Sequence, residues 1–364
     1  MLNYMLKHRN PGWVELFFDL AFVVFLGRIA HLLFHTHDNL ILTTDFFAFI
    51  WMVNIQFLVW MLFTVYMNFY GDDSIFQSRC AFLLMLFIIY NAMLTENTFE
   101  NAKYIVSSLG VMSLIISLMY RKSQRQLKEN ETYARYKSNA LFLLFLLSLI
   151  VWFLSPTQAL WFAIILFVLE HVADHFVPLA RPDTEHFVER IGIFVILILG
   201  ESLMTIVNQV PSDLTLTAIY PVIILLICFF AIFVNYFTFI ETLAHLKYER
   251  YEHILMTNWF ILTALTVFPA VIYHGINQGI EIWQFECLTV YFVVLFFLGM
   301  GLTYARVPQK HIAYTVTYMI VPIVGCVVSL ILTHSYVWTL VTLLLVCALT
   351  STYLLCLTTK FGDE

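Results

Sequence analysis

The sequence predicts an all-α fold of the polytopic membrane class, with about twelve transmembrane helices in a single transmembrane domain, 1–364. Of the 364 residues, 61% are hydrophobic and only 12% are charged. Soluble domains carry roughly 25% charged residues, so this chain has too few polar side chains to cover a water-soluble body. Each membrane helix needs about 20 apolar residues, and twelve helices with short connections use nearly the whole chain.

The twelve predicted helices are the apolar runs between charge clusters and proline, glycine or asparagine residues. They run from Val14 to Phe34, Thr44 to Met67, Arg79 to Thr95, Ala102 to Tyr120, Ser138 to Ser155, Gln158 to Pro178, Phe187 to Asn208, Thr215 to Ile240, His253 to His274, Glu281 to Tyr304, His311 to Thr333 and Ser335 to Thr358. After Ser155, Pro156 fits either a tight turn or a kink.

Basic residues collect in alternate loops, as the positive-inside rule expects of cytoplasmic loops. One side receives Lys7, Arg9, Arg79, Arg121, Lys122, Arg125, Lys128, Arg135, Lys137, Arg181, Arg190, Lys247, Arg250, Arg306, Lys310 and Lys360. Among the loops assigned to the other side, only Lys103 breaks the pattern. An odd number of spans would scramble this alternation, so the sequence predicts an even number with both termini in the cytoplasm.

A weaker pattern predicts two parallel pseudo-repeats of six helices, 1–178 and 179–364. The first helix opens with 13–15 (WVE) and the seventh with 187–189 (FVE). At the same offset, Arg79 at the start of the third helix corresponds to His253 at the start of the ninth. Both halves would begin in the cytoplasm, so the repeats would be related by an axis along the membrane normal.

Two carboxylates in the first helix are the first candidates for chemistry inside the membrane. Glu15 and Asp19 are one turn apart on the same face, about 6 Å along the axis. Such a pair repels unless a proton, a cation or an arginine lies between them. The interpretation is a functional or paired Asp19, with Glu15 either sharing that role or reaching cytoplasmic water.

The seventh helix carries a second charged stripe, formed by Glu189, Arg190 and Glu201. Arg190 and Glu201 are separated by about three turns and therefore point the same way. Because a charge costs at least about 2.5 to 3.5 kcal/mol at the centre of a membrane helix, the stripe should face protein or water. Glu201 is the deepest carboxylate; it is a transport candidate, or it donates a structural hydrogen bond in its protonated form.

Other polar residues are weaker candidates. Arg28 projects from the face opposite Asp19 and either snorkels outwards near His31 or pairs with Glu201. Arg79 is expected at the cytoplasmic end of the third helix, at the membrane surface. Two further residues that could line a polar cavity are Asn235 and His253.

The end of the sixth helix has metal-ligand spacing. His171, Asp174 and His175 share one face at i, i+3 and i+4, and Glu170 precedes them. The alternative interpretation is a solvated helix end that faces cytoplasmic water.

Two long motifs carry a resemblance to a known family. The segments 11–23 (PGWVELFFDLAFV) and 186–202 (HFVERIGIFVILILGES) resemble the two signatures of the bacterial low temperature requirement protein A family, and 68–73 (NFYGDD) and 133–136 (YARY) are lesser matches. At 235–237 the sequence NYF departs from the family's tendency towards YFD. The resemblance implies a protein of the bacterial inner membrane, linked by name to growth in the cold, and it implies no reaction. Its motif positions are Glu15, Asp19, His31, Arg79, Glu189, Arg190 and Glu201.

Three functions remain open at this stage. The first is a secondary transporter or ion-coupled permease that uses the intramembrane carboxylates; the second is a lipid-modifying enzyme at the cytoplasmic interface; the third is a sensor or scaffold without turnover. The expected partners are membrane lipids and an unknown small solute or ion, the proton included. With no phosphate-binding glycine loop and no basic tail, neither a cofactor nor a nucleic-acid partner is predicted.

Overall fold

The computed structural model describes residues 11–72, 74–123, 131–175, 183–210, 215–244, 251–304, 312–332 and 335–361. Twelve α-helices run through these residues: α1 Trp13–Ala30, α2 Thr43–Tyr70, α3 Ile75–Met93, α4 Ala102–Ser123, α5 Glu131–Ser148, α6 Pro156–His175, α7 Thr184–Asn208, α8 Leu216–Ala244, α9 Tyr251–Asn277, α10 Ile282–Tyr304, α11 Ile312–Leu332 and α12 Tyr336–Phe361. The predicted all-α class is confirmed for this part of the chain.

Ten of these helices contain segments long and apolar enough to cross a membrane. In α6 and α11 the corresponding apolar segments are shorter, Pro156–Glu170 and Thr317–Val328. Large apolar side chains are also exposed on the surface, for example Phe153 at 90% and Trp161 at 69%. The protein is therefore a polytopic membrane protein, while the count of twelve spans stays a prediction.

Two helix starts differ from the sequence-based boundaries for local reasons. Pro156 is the first residue of α6, a position where proline is favoured because its missing N–H has no partner inside a helix. Helix α5 begins at Glu131, seven residues before the predicted start, and its charged first turns are stabilised by an i,i+4 pair in which Arg135 Nη2 lies 2.6 Å from Glu131 Oε1. Arg135 and Lys137, counted above among the loop cations, therefore both lie inside a helix.

The chain divides into two compact units, the first made of Met1–Leu32 and Phe46–Arg190, the second of Leu33–Asp45 and Ile191–Glu364. This division does not address the predicted repeat of 1–178 and 179–364, which stays a prediction.

Helix α2 runs through the middle of the first unit, and 78% of the residues in its most apolar 18-residue stretch are buried. Its side chains contact every other helix of that unit. The contacts are Trp60 with Asp19 of α1, Tyr66 with Gln77 of α3, Tyr66 with Ser123 of α4, Phe69 with Tyr133 of α5, Trp51 with the Leu160 carbonyl of α6, and Asn68 with His186 of α7. The polar groups of Trp51, Trp60, Tyr66 and Asn68 on α2 therefore bond to groups of neighbouring helices.

The second unit is organised around α9, which is 83% buried over its most apolar window. Thr303 of α10 donates a hydrogen bond to Thr257 of α9 at 2.7 Å, and Phe268 stacks on Phe292 at 4.8 Å. Helices α8 and α12 are joined by the Asn235 amide, which donates to Ser351 Oγ at 2.7 Å.

Candidate functional site

Arg190 of α7 binds both carboxylates of α1 inside the first unit. Its Nε and Nη2 donate to Asp19 Oδ2 and Oδ1 at 3.2 and 3.0 Å, and its Nη1 donates to Glu15 Oε2 at 3.1 Å. All three side chains are 0% exposed. The two carboxylates lie together because they are one helical turn apart, and the planar guanidinium is long enough to contact both.

Aromatic rings of α2 complete the binding of Asp19 and Arg190. Trp60 Nε1 donates to Asp19 Oδ1 at 2.8 Å. The guanidinium carbon of Arg190 lies 5.9 Å from the Trp60 ring centroid and 5.3 Å from that of Phe63, within the range of cation–π attraction. Asp19 thus accepts three charge-assisted or indole hydrogen bonds, and Arg190 is desolvated between carboxylates and π faces.

Glu15 has a different set of contacts from Asp19. Its Oε1 accepts the backbone N–H of Gly12 at 3.3 Å, and its Oε2 lies 3.4 Å from His186 Nε2 in addition to the Arg190 contact. Glu15 is at the third position of α1, where a carboxylate also interacts favourably with the helix dipole. We call Glu15, Asp19, Trp60, His186 and Arg190 the carboxylate–arginine cluster.

The start of α7 is fixed to α2 through the Asn68 amide. Asn68 Nδ2 donates to the Asp183 carbonyl at 2.8 Å and lies 3.1 Å from His186 Nδ1, while Asn68 Oδ1 accepts the Asp183 N–H at 3.2 Å. Asp183 Oδ1 in turn accepts the His186 N–H at 3.1 Å, which caps the helix. The His186 ring is therefore placed with one nitrogen on Asn68 and the other near Glu15.

Helix α2 presents a polar stripe to this cluster. The stripe consists of Gln56, Trp60, Thr64 and Asn68, spaced four residues apart, so they share one face over about 18 Å. Gln56 and Thr64 are 0% exposed, and their side-chain polar atoms have no hydrogen-bond partner among the described residues. The i+4 spacing on an otherwise apolar helix is a sequence signal that could have found this stripe; we missed it, together with the roles of Trp60 and His186.

The comparison with protein families decides the relationship that the motifs suggest. The sequence model described as bacterial low temperature requirement A protein (LtrA) matches residues 11–350. The chain belongs to the LtrA family. No curated protein is significantly similar to it. Helices α1 and α7, which carry the charged residues of the carboxylate–arginine cluster, both lie inside the region of this LtrA protein that the family model matches.

The remaining motif positions lie outside the cluster. Glu201 is half-buried on α7, and its carboxylate makes no hydrogen bond to a described residue. Glu189 is also half-buried, and its buried Oε2 has no hydrogen-bond partner in the same part of the chain. His31 and Arg79 are exposed.

The weaker polar candidates form local contacts. Arg28 pairs with Glu96 rather than with Glu201, and both side chains are exposed. Asn235 is buried and donates to the carbonyl oxygens of Ala231 and Cys347 at 2.8 and 3.0 Å, which joins α8 to α12. The side chain of His253 lies outside the described residues.

The predicted metal ligands are described only at Glu170. Its Oε1 accepts Lys137 Nζ at 2.6 Å, and both side chains are 2% exposed, so Glu170 lies in a buried ion pair instead of a solvated helix end. The side chains of His171, Asp174 and His175 lie outside the described residues. A groove of about 370 Å³ between α5 and α6 is lined by four leucines, by Ala140 and by the polar residues Tyr136, Asn139 and Glu170.

Proposed function

We propose that this LtrA protein is a secondary transporter of the bacterial inner membrane, with both termini in the cytoplasm, that couples a small solute or ion to the movement of a proton or monovalent cation. The observation that carries the proposal is the contact of Arg190 with Glu15 and Asp19 at 0% exposure inside a membrane protein. Each such charge costs at least about 2.5 to 3.5 kcal/mol to place at the centre of a membrane helix, and groups of this kind mark ion and proton pathways.

The polar stripe of α2 supports transport over a purely structural role for the cluster. An ion pair with a purely structural role requires partners only for its own atoms. Gln56 and Thr64 extend the polar surface one turn beyond Trp60 in each direction, and neither side chain has a hydrogen-bond partner among the described residues. A buried polar group left without a partner costs about 1–3 kcal/mol, so retaining two of them in one stripe fits a path for a polar species. Glu201 is half-buried in the apolar segment Glu185–Asn208 of α7, and it is a second candidate for proton exchange.

The proposal is tested with the purified protein in liposomes that contain a pH-sensitive dye. Monovalent cations, amino acids, organic acids and sugars are added one at a time under an imposed pH gradient. We expect at least one class to move protons with the wild type, and Arg190→Lys to slow that movement at least about tenfold, because lysine cannot form the parallel hydrogen bonds to Asp19.

The matched control is Arg135→Lys, which alters an exposed arginine in the pair with Glu131 and should leave the flux unchanged. Thermal unfolding of each variant shows whether it is folded, and Asp19→Glu serves as a second variant of the same contact. Absence of proton movement with every class, or full activity of both variants, contradicts the proposal.

A second candidate function, chemistry on membrane lipids, is favoured by the groove beside Glu170. Its leucine lining suits an acyl chain, and Tyr136, Asn139 and Glu170 add polar groups to the same lining. Lipid extracts from cells with and without the gene test this candidate. An unchanged lipid profile, together with full function of Glu170→Gln, counts against it.

A further inference from the structure

The groove between α5 and α6 has exposed rims and a buried floor. Leu143 of α5 and Leu169 of α6 line it and are 55% and 48% exposed, whereas Leu144 and Glu170 line it and are 8% and 3% exposed. Its volume of about 370 Å³ falls in the range of about 300–1,000 Å³ that is usual for ligand pockets. The groove is therefore large enough to hold part of a small molecule that enters between the rims.

Along α5 the lining of the groove changes from polar to apolar. One face of this helix, about 16 Å long, contributes Tyr136, Asn139, Ala140, Leu143, Leu144 and Leu147. Glu170 of α6 lies level with the start of this face, because its Oε1 is 2.6 Å from Nζ of Lys137. The polar residues thus lie at one end and the leucines of α5 at the other, an arrangement that matches an amphiphile with one polar end.

Asn139 at the polar end has an amide that can bond to such a molecule. The residue is exposed, and its side chain has no hydrogen-bond partner among the described residues. It lies inside Glu131–Phe153, a segment apolar enough to cross a membrane. Because hydrocarbon offers no hydrogen bonds, an amide at such a position is costly unless a polar group of another molecule bonds to it.

We propose that the groove binds one glycerophospholipid of the surrounding membrane. One acyl chain lies against Leu143, Leu144 and Leu147, and the Asn139 amide donates to the ester carbonyl oxygen at the head of that chain. The ester carbonyl is the polar group directly attached to the chain, and Asn139 is one helical turn from Leu143. The assignment requires neither transport nor a reaction on the lipid, so it goes beyond the proposed function.

The preference for this ligand comes from the amide and not from the leucines. A bilayer solvates an acyl chain about as well as leucine side chains do, so the apolar part of the groove selects the shape of the ligand but adds little affinity. The hydrogen bond of Asn139 forms where water does not compete for it. A lipid that lacks the ester carbonyl should therefore bind less tightly.

Native mass spectrometry of the full-length protein in detergent tests the hydrogen bond with two probes. One is a diacyl phosphatidylethanolamine, and the other is its dialkyl ether analogue with chains of the same length. We expect the wild type to prefer the diacyl lipid by roughly two- to tenfold, as one hydrogen bond provides, and Asn139→Leu to bind both lipids equally.

Thr352→Val is the control for Asn139→Leu, because it removes an exposed polar group of α12 that bonds only within its own helix. It should keep the preference for the diacyl lipid. Equal binding of the two lipids by the wild type, or an unchanged preference in Asn139→Leu, overturns the role of the amide.

Photolabelling locates the bound chain in the full-length protein in nanodiscs. The probe is a phosphatidylethanolamine that carries a diazirine on one acyl chain, and labelled residues are identified by mass spectrometry of peptides. We expect label on Leu143 and Leu147 that falls at least about threefold when Ala140→Phe fills the groove. Leu146→Phe is the matched control, because Leu146 is exposed on α5 and does not line the groove.

Ala140→Leu is a smaller groove-filling variant, and thermal unfolding shows that the variants compared are folded. Unchanged labelling of Leu143 and Leu147 in a folded groove-filled variant overturns the lipid site. A dimer in the mass spectrum that Ala140→Phe abolishes would assign the groove to a second copy of the chain and would overturn it as well.

Discussion

Arg190 of α7 holds Asp19 of α1 through two parallel hydrogen bonds although 171 residues separate them in the sequence. Parallel bonds of this kind fix the orientation of both groups as well as their distance. The two bonds therefore fix both the position of the start of α7 along α1 and the rotation of α7 about its own axis.

Asp19→Ala should lower the free energy of unfolding by about 3–5 kcal/mol, since it removes the bidentate partner of a buried guanidinium. Unfolding of the purified protein in detergent, followed by circular dichroism, measures the change. Glu131→Ala breaks an exposed pair with Arg135 and should cost no more than about 1 kcal/mol. Equal losses in the two variants would show that Asp19 and Arg190 are not paired in a buried site.

Gln56→Leu should raise the free energy of unfolding by about 1–3 kcal/mol, because it replaces a buried amide that has no partner among the described residues with an apolar side chain of similar size. Under the proposed function the same variant should slow proton movement in liposomes. Asn54→Leu removes an amide that has a partner and should not stabilise the protein. If Gln56→Leu instead lowers the free energy of unfolding, the Gln56 amide has hydrogen-bond partners in the membrane-embedded protein.

The Lys137–Glu170 pair should behave as a buried ion pair in a double-mutant cycle. Lys137→Met and Glu170→Gln should each cost about 3–5 kcal/mol, because each leaves one charged group buried without its partner at 2.6 Å. The double variant Lys137→Met/Glu170→Gln should cost much less than the sum. Thermal unfolding in the same detergent measures all three, and additive effects would exclude the pairing.

Gly299→Ala should destabilise the second unit by about 1–3 kcal/mol through overpacking of α9 against α10. A Cβ atom there would lie 2.8 Å from the Thr257 carbonyl oxygen and 2.6 Å from Ile261 Cγ1. Gly200→Ala is the control, because a Cβ at that position meets no atom within 4 Å. Midpoints of thermal unfolding compare the two, and a tolerated Gly299→Ala would mean that the helices are further apart.

The membrane class and the helical segments follow from composition and apolar run length, because a bilayer imposes one secondary structure on any long apolar run of this kind. Helical spacing also placed Glu15 and Asp19 on one face. It could not show that Arg190 would meet both, since spacing within one helix says nothing about which helices become neighbours. Arg28 is a second example. The helix face from which it projects was predicted, but its partner Glu96 was not, because Glu96 lies in a short 3₁₀ segment, Thr95–Asn97, that no apolar pattern reveals.

The roles of Trp60 and Asn68 were missed for another reason. A tryptophan inside an apolar run is read as a packing residue, and a single asparagine near a helix end is read as punctuation. Their roles depend on Asp19, Asp183 and His186, which belong to other helices and become visible only in three dimensions.

The charges shared by α5 and α6 also constrain how the chain enters the bilayer during synthesis. Lys137 is buried near the start of α5, and its counter-charge Glu170 is made 33 residues later, near the end of α6. A lone lysine or glutamate is costly in lipid, whereas the pair is much less so. We therefore expect stable integration of α5 only after α6 has been made, with the two helices entering the membrane together as a hairpin.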